Sequence, residues 1–161
     1  MSGGACPNTC PYLYLYNKII AASGLAPGHW AVHPYTDIEN YQNGKTATTR
    51  LAAFAAKLLK YGYKTNTFIW LNEVSACDNN SEPQCGSDSS YAHSKVDAIN
   101  YLVSQLPLTV SATGPQVGRI DYYCFNGGEA QCNNDWALEN GPVTTISLNA
   151  AGLAYQAWAR G

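Results

Sequence analysis

The chain has 161 residues, of which 46% are hydrophobic and 12% charged, and its formal net charge is −2 at pH 7. This length predicts a single domain, residues 1–161, with a hydrophobic core of its own. The small net charge argues against the basic surface that nucleic acids or anionic lipids attract. No apolar run approaches the roughly 20 residues that cross a bilayer. We therefore expect neither a nucleic-acid nor a membrane partner.

Helices and strands are predicted to alternate through the first half of the chain. Apolar residues at helical spacing predict a helix at 12–22. A short strand at 29–33 follows, and Pro34 ends it because proline cannot donate to a strand ladder. The polar residues 36–45 are predicted to form a loop. The clearest helix is 46–61, which has one apolar side.

The second half of the chain repeats this alternation. Residues 67–71 are β-branched, aromatic and nearly all apolar, which is typical of a strand covered on both faces. A helix at 91–106, a third strand at 119–125 and a last helix at 146–159 follow. Strands that alternate with helices predict an α/β fold with a parallel sheet. Functional sites of such folds lie at the carboxyl ends of the strands.

Six cysteines form three pairs that are close in sequence and lie in loop-like segments. About 15 pairings are possible in principle, and we prefer the three local bridges because each would clamp a loop. No cysteine pair has the CxxC spacing of zinc sites, so no metal is expected. The sequence contains neither a GxGxxG loop nor a P-loop pattern, so no other cofactor is expected either. An even number of loop cysteines favours an extracellular, secreted protein. The local pairs are Cys6 with Cys10, Cys77 with Cys85, and Cys124 with Cys132.

A secretion signal is not found at the start of the sequence. Because the cysteines favour secretion, we expect that Met1 is not the natural start and that the chain is the C-terminal portion of a longer secreted protein.

Three polar side chains are predicted to meet at the strand ends. Side chains alternate between the faces of a strand, so Glu73 is expected to share a face with positions 67, 69 and 71 as the last inward residue of the second strand. By the same alternation His33 and Tyr35 share a face at the end of the first strand. Their imidazole and phenol groups can hydrogen-bond a neighbouring carboxylate and hold its geometry and charge state.

Aromatic side chains accompany this carboxylate. The third strand offers Tyr123 and Phe125 on one face, or Tyr122 and Cys124 on the other, and the sequence does not decide between them. Trp136 in the next loop is a further stacking surface. A carboxylate among aromatic planes suits glycosidic bond hydrolysis, which uses a pair of carboxylates. The alternative interpretation is that Glu73 is a solvated loop residue and that Trp136 covers the core.

Taken in order, these segments resemble the C-terminal part of a (β/α)₈-barrel glycoside hydrolase. The similarity is to the large clan of retaining glycosidases with the acid/base Glu on strand four and the nucleophile Glu on strand seven. It extends from about residue 12 to residue 161 and covers about the last three βα units. The segments are HPY at 33–35, IWLNEV at 69–74, RIDYY at 119–123, DWAL at 135–138 and GP at 141–142.

The resemblance implies a partial (β/α)₈ TIM barrel in which Glu73 is the nucleophile and His33 and Tyr35 orient it. It also implies a carbohydrate substrate. The residues expected to contact that substrate are Asn72, Tyr123, Phe125 and Trp136.

Two features depart from a complete barrel. Such a barrel needs about 250 residues, and no second Glu lies at an earlier strand end. Asp37 and Glu39 lie near the first strand, but the family gives no support for either as the acid. Loss of the acid costs about 10²–10⁴-fold in rate, so we expect little or no glycosidase activity from the isolated chain. The alternative function is a non-catalytic carbohydrate-binding or structural module.

Unpaired sheet edges invite pairing with another chain. A partial barrel has such edges, so the sequence also predicts self-association.

Overall fold

The computed structural model describes residues 28–45, 49–77, 91–123, 138–140 and 147–160. Within these residues the chain has a mixed α/β fold, with four α-helices, a three-stranded sheet and a two-stranded sheet. The predicted fold class is therefore confirmed at this level. The helix expected at 12–22 lies outside the described residues. Phe125, Trp136 and every cysteine except Cys77 lie outside them as well.

The larger sheet is parallel, with the strand order β1-β2-β3. Its strands are β1 (His29–Val32), β2 (Phe68–Val74) and β3 (Gln116–Tyr122). All three carboxyl ends therefore lie at one edge, as the alternation of helices and strands predicts. The smaller sheet pairs β4 (Glu139–Asn140) with β5 (Ser147–Leu148) in antiparallel fashion, and the sequence analysis did not predict it.

The helices are α1 (Tyr35–Gln42), α2 (Arg50–Lys60), α3 (Lys95–Asn100) and α4 (Ala150–Ala159). The helix predicted at 91–106 begins later, at Lys95, because Ser94 and Asp97 form a capping box at its N-terminus. It then changes hydrogen-bonding pattern, continuing as a π-helix at Tyr101–Gln105 and a 3₁₀-helix at Leu106–Thr109. None of the helices among the described residues is long and apolar enough to cross a membrane.

The prediction of a loop at 36–45 is wrong, because α1 occupies most of that segment. Pro34 precedes the helix and provides no side-chain cap. Two polar side chains of α1, Asp37 and Gln42, are buried. The Asp37 carboxylate accepts hydrogen bonds from the backbone N–H groups of Arg50 (2.7 Å) and Leu51 (2.9 Å). It therefore satisfies free donors at the start of α2.

The two faces of the parallel sheet differ in their environment. On one face Ile69, Leu71 and Ile120 join the core, together with apolar residues of the helices. The opposite face is partly exposed and carries aromatic and charged side chains. There the ring of His29 stacks on Trp70 at 4.5 Å between centroids. We call the first face the covered face, and the second, which carries His29, Phe68, Trp70, Gly118 and Arg119, the open face.

Candidate active site

Glu73 lies at the edge where the three parallel strands end, and two side chains from the neighbouring segment contact it. The Tyr35 hydroxyl donates a hydrogen bond of 2.8 Å to Glu73 Oε1. His33 Nδ1 lies 3.6 Å from Glu73 Oε2. The carboxylate keeps 39% of its side-chain surface exposed, and His33 keeps 21%. The three side chains that the sequence predicts to meet are therefore in contact.

Tyr35 reaches Glu73 from a helix and not from a strand. β1 ends at Val32, and Tyr35 is the first residue of α1. The expected strand alternation of His33 and Tyr35 is therefore wrong. The chain turns at Pro34, and the two rings meet edge to face with centroids 6.3 Å apart. This turn brings an imidazole and a phenol to the same carboxylate.

Glu73 lies within a bulge at the end of β2. Leu71 pairs with Ile120 and Val74 with Tyr122, so three steps along β2 match two along β3. An extra residue of this kind re-aims the side chains around it. The bulge interrupts the strict alternation on which the expected placement of Glu73 with positions 69 and 71 depends. Those two residues are fully buried in the core, whereas Glu73 is half exposed.

Tyr35 is held in its protonated form. Burial raises the pKa of Tyr35 well above its ordinary value, and the hydrogen bond to Glu73 raises it further. The nearby phenols of Tyr122 and Tyr123 act in the same direction. A phenol next to a carboxylate ionises reluctantly because a second negative charge is disfavoured there. Tyr35 is therefore the donor of the hydrogen bond to Glu73.

The other predicted substrate contacts are only partly described. Tyr123 is exposed, and its backbone N–H donates to the Val74 carbonyl at 2.9 Å, which places it beside the end of β2. Asn72 is exposed next to Glu73. Phe125 and Trp136 lie outside the described residues. Tyr122 packs against the core. Its alternative partner Cys124 lies outside the described residues, as Phe125 does.

Asp37 and Glu39, the two acidic residues near the first strand, differ in whether their carboxylates are buried and hydrogen-bonded or exposed. Both carboxylate oxygens of Asp37 accept backbone hydrogen bonds from α2, so this residue is committed to the helix start. Burial raises the pKa of Asp37, and its two backbone donors act in the opposite direction. Glu39 is exposed on α1. Among the described residues no group of three or more His, Cys, Asp or Glu side chains could hold a metal ion.

Two residues that the sequence analysis did not connect to Glu73 hold the segment after it. The Gln42 side chain donates to the Cys77 carbonyl (2.8 Å) and accepts from the Cys77 N–H (3.1 Å). The Tyr122 hydroxyl accepts from the Ala76 N–H (2.9 Å) and donates to the Ala76 carbonyl (3.2 Å). No sequence signal marks Gln42, since it stands in a polar stretch.

Cys77 is disulfide-bonded, and its partner lies outside the described residues. The three local cysteine pairs therefore stay predictions. Comparison of the chain with protein-family models, with curated proteins and with solved structures finds no match. The function must accordingly be argued from the geometry around Glu73.

Proposed function

We propose that this chain carries the nucleophile of a secreted, retaining glycoside hydrolase of the (β/α)₈-barrel type, and that Glu73 is that nucleophile. The observation that supports the proposal is the contact of one half-exposed carboxylate with two side chains. Tyr35 donates to Oε1 at 2.8 Å, and His33 lies 3.6 Å from Oε2. A carboxylate held at a strand end in this way is suited to attack a sugar from a fixed direction.

In the proposed reaction a carboxylate oxygen of Glu73 attacks the anomeric carbon of the substrate. The bond from that carbon to the leaving oxygen breaks, and an acid protonates the leaving oxygen. Water then hydrolyses the glycosyl ester and restores the carboxylate. Tyr35 fixes the orientation of the attacking group through its hydrogen bond. The partial exposure of Glu73 leaves room for the sugar to approach.

The acid/base residue is the part of this mechanism that the described residues do not supply. Asp37 is occupied by the start of α2. In the proposed barrel the acid/base Glu belongs to strand four, as the family resemblance implies. The isolated chain should therefore hydrolyse ordinary glycosides very slowly, because an unprotonated leaving group costs about 10²–10⁴-fold.

A substrate whose leaving group needs no proton tests Glu73 without the acid. We expect the chain to be labelled by one member of a panel of 2-deoxy-2-fluoroglycosyl fluorides in the gluco, galacto, manno and xylo configurations. Glu73 displaces fluoride and forms a glycosyl ester, and the fluorine at C2 slows its hydrolysis by destabilising the oxocarbenium-like transition state. Mass spectrometry of the intact chain and of its peptides measures the adduct.

The variant Glu73→Gln should give no adduct, because an amide is a poor nucleophile. Glu39→Gln removes an exposed carboxylate from α1 and is the matched control, so it should be labelled like the wild type. Labelling of Glu73→Gln, or of a peptide other than the one that carries Glu73, would overturn the assignment.

A non-catalytic carbohydrate-binding module is the second candidate. The exposed aromatic rings of Phe68 and Tyr123 favour it, because such rings form apolar binding surfaces. A module of this kind should bind a saccharide equally well as wild type and as Glu73→Gln, and it should form no adduct with any fluoroglycoside. Isothermal calorimetry together with the labelling assay separates the two functions.

Self-association is part of the proposal, because a partial barrel leaves strands unpaired. In the described part of the chain, β1 and β3 each pair with β2 on one side only. Unpaired strand edges are templates for another chain. We expect dimers or larger species in sedimentation velocity at micromolar concentration. A single monomeric species over a tenfold range of concentration would contradict a partial barrel.

A further inference from the structure

The segment that leaves β2 after Glu73 is held by side chains from two other elements. Gln42, the last residue of α1, pairs its amide with both backbone groups of Cys77. Tyr122, the last residue of β3, places its hydroxyl on both backbone groups of Ala76. Gln42 and Ala76 are both buried. Four hydrogen bonds therefore hold the backbone N–H and C=O groups of two consecutive residues, Ala76 and Cys77, just beyond Glu73.

These bonds matter because Glu73 lies in a part of β2 where the regular strand pairing is interrupted. The bulge between Leu71 and Val74 interrupts the regular register of β2 on β3. A bulged strand can bend and twist at the extra residue. The direction of Glu73 then depends on what fixes the chain on both sides of the bulge. Before the bulge, Leu71 is fixed by its pairing with Ile120. After it, Val74 pairs with Tyr122 and its carbonyl accepts from the Tyr123 N–H, and the next backbone groups, those of Ala76 and Cys77, are held by the side chains of Tyr122 and Gln42.

Helix α1 contacts the Glu73 carboxylate at one end and, at the other end, Ala76–Cys77, which we call the exit segment. Its first residue, Tyr35, donates to Glu73, and its last residue, Gln42, binds Cys77. The helix spans about 10 Å between them at 1.5 Å per residue. A rigid helix thus links the orientation of the Glu73 carboxylate to the position of the peptide after it.

We propose that Gln42 and Tyr122 are positioning residues for Glu73, which hold the Ala76–Cys77 backbone so that the carboxylate meets the Tyr35 hydroxyl. The importance of this alignment for nucleophilic attack rests on the proposed function. The alignment itself is a property of the fold and can be measured separately. Both residues act through the backbone that follows β2.

Two variants remove these contacts while keeping the size of each side chain. Gln42→Met removes the amide, and Tyr122→Phe removes the hydroxyl. Tyr155→Phe is the matched control, because its hydroxyl donates to the Ile120 carbonyl on β3 at 2.8 Å and not to the exit segment. The readout is the hydroxyl proton resonance of Tyr35, assigned by its disappearance in Tyr35→Phe. A hydrogen-bonded hydroxyl exchanges slowly enough to be observed.

We expect the Tyr35 hydroxyl resonance to be lost or shifted in Gln42→Met and Tyr122→Phe, and to be retained in Tyr155→Phe. A purely structural role would lower the midpoint of thermal unfolding in all three variants and leave this resonance in place. Retention of the resonance in both Gln42→Met and Tyr122→Phe would overturn the proposal.

The fluoroglycoside assay adds a functional readout. The first-order labelling constant at saturation should fall, by about 100-fold for a displacement of 1 Å, while the half-saturating concentration stays constant. If the wild-type chain is not labelled, the nucleophile assignment fails. The positioning role of Gln42 and Tyr122 is still tested by the Tyr35 hydroxyl resonance.

The wild-type chain provides a measurement that does not depend on the folding of any variant. If the four hydrogen bonds form in solution, the amides of Ala76 and Cys77 should exchange with deuterium as slowly as that of Leu71 in the centre of β2. Exchange of both amides at the rate of exposed loops would also overturn the proposal.

Discussion

The two faces of the parallel sheet place neighbouring residues of the same strand in opposite environments. On β2, Ile69 and Leu71 are fully buried on the covered face, whereas Phe68 on the open face is 38% exposed. On β3, Ile120 is buried and the Arg119 side chain is 58% exposed. Parallel sheets are usually covered on both faces. The open face is therefore the side that further strands would enclose in the proposed barrel.

This difference also explains why the two faces should respond differently to substitution. On the covered face each side chain is surrounded by packed neighbours, so lost volume leaves a cavity. On the open face a side chain has solvent on one side and can move. Stability measurements on matched residues therefore test whether the open face is exposed in solution.

The largest effect is expected from matched truncations on β2. Ile69→Ala should lower the free energy of unfolding by about 2–5 kcal/mol, because it empties a fully buried position. Phe68→Ala should lower it by about 1 kcal/mol, although it removes more atoms. Urea denaturation followed by circular dichroism measures both. Equal losses would mean that the open face is covered in solution.

The next largest difference in stability is expected between two glycine substitutions, Gly152→Ala and Gly118→Ala. A Cβ at Gly152 would overlap the carbonyl oxygen of Leu138, which is backbone and cannot rotate away. Gly152→Ala should therefore destabilise the chain by about 1–3 kcal/mol. A Cβ at Gly118 would lie 2.9 Å from the ring of Phe68 and 3.0 Å from its Cβ. The partly exposed ring can turn, and the Cβ contact needs a shift of a few tenths of an ångström between the two strands.

Gly118→Ala should accordingly cost about 1 kcal/mol, less than Gly152→Ala. Thermal unfolding of both variants measures the difference. A loss for Gly118→Ala as large as that for Gly152→Ala would show that Phe68 is fixed and that the open face is packed.

The smallest effect is expected at Arg119. Its guanidinium lies 5.6 Å from the centroid of the Trp70 ring, and its Nε donates to Asp121 Oδ1 at 2.8 Å. Because the side chain is 58% exposed, Arg119→Ala should change the free energy of unfolding by less than about 1 kcal/mol. Urea denaturation at low and high salt measures it. A loss of several kcal/mol that persists in high salt would indicate a buried cation.

The sequence predicts the sheet well because its strands carry strong local signals. The expected strand at 29–33 is observed as His29–Val32 and the expected one at 67–71 as Phe68–Val74. The third strand begins at Gln116, earlier than the predicted residue 119. Its first residues, Gln116, Val117 and Gly118, include no run of β-branched side chains, so nothing local marks them as strand.

The site is predictable in its composition and not in its geometry. Glu73, His33 and Tyr35 can be selected because parallel strands bring their ends together. The bulge that contains Glu73 depends on the pairing of two strands far apart in sequence, and α1 depends on tertiary burial of Asp37 and Gln42. Local periodicity contains neither kind of information, so a regular strand and a polar loop were expected in their place.

The hydrogen bonds of Asp37 also have an evolutionary consequence. This carboxylate, buried in α1, accepts the first two amides of α2 across the connection between the helices. These two hydrogen bonds tie the start of α2 directly to α1, in addition to the apolar packing of both helices in the core. In relatives of this chain we expect residues 46–48 to vary in sequence and length, whereas position 37 should keep its carboxylate.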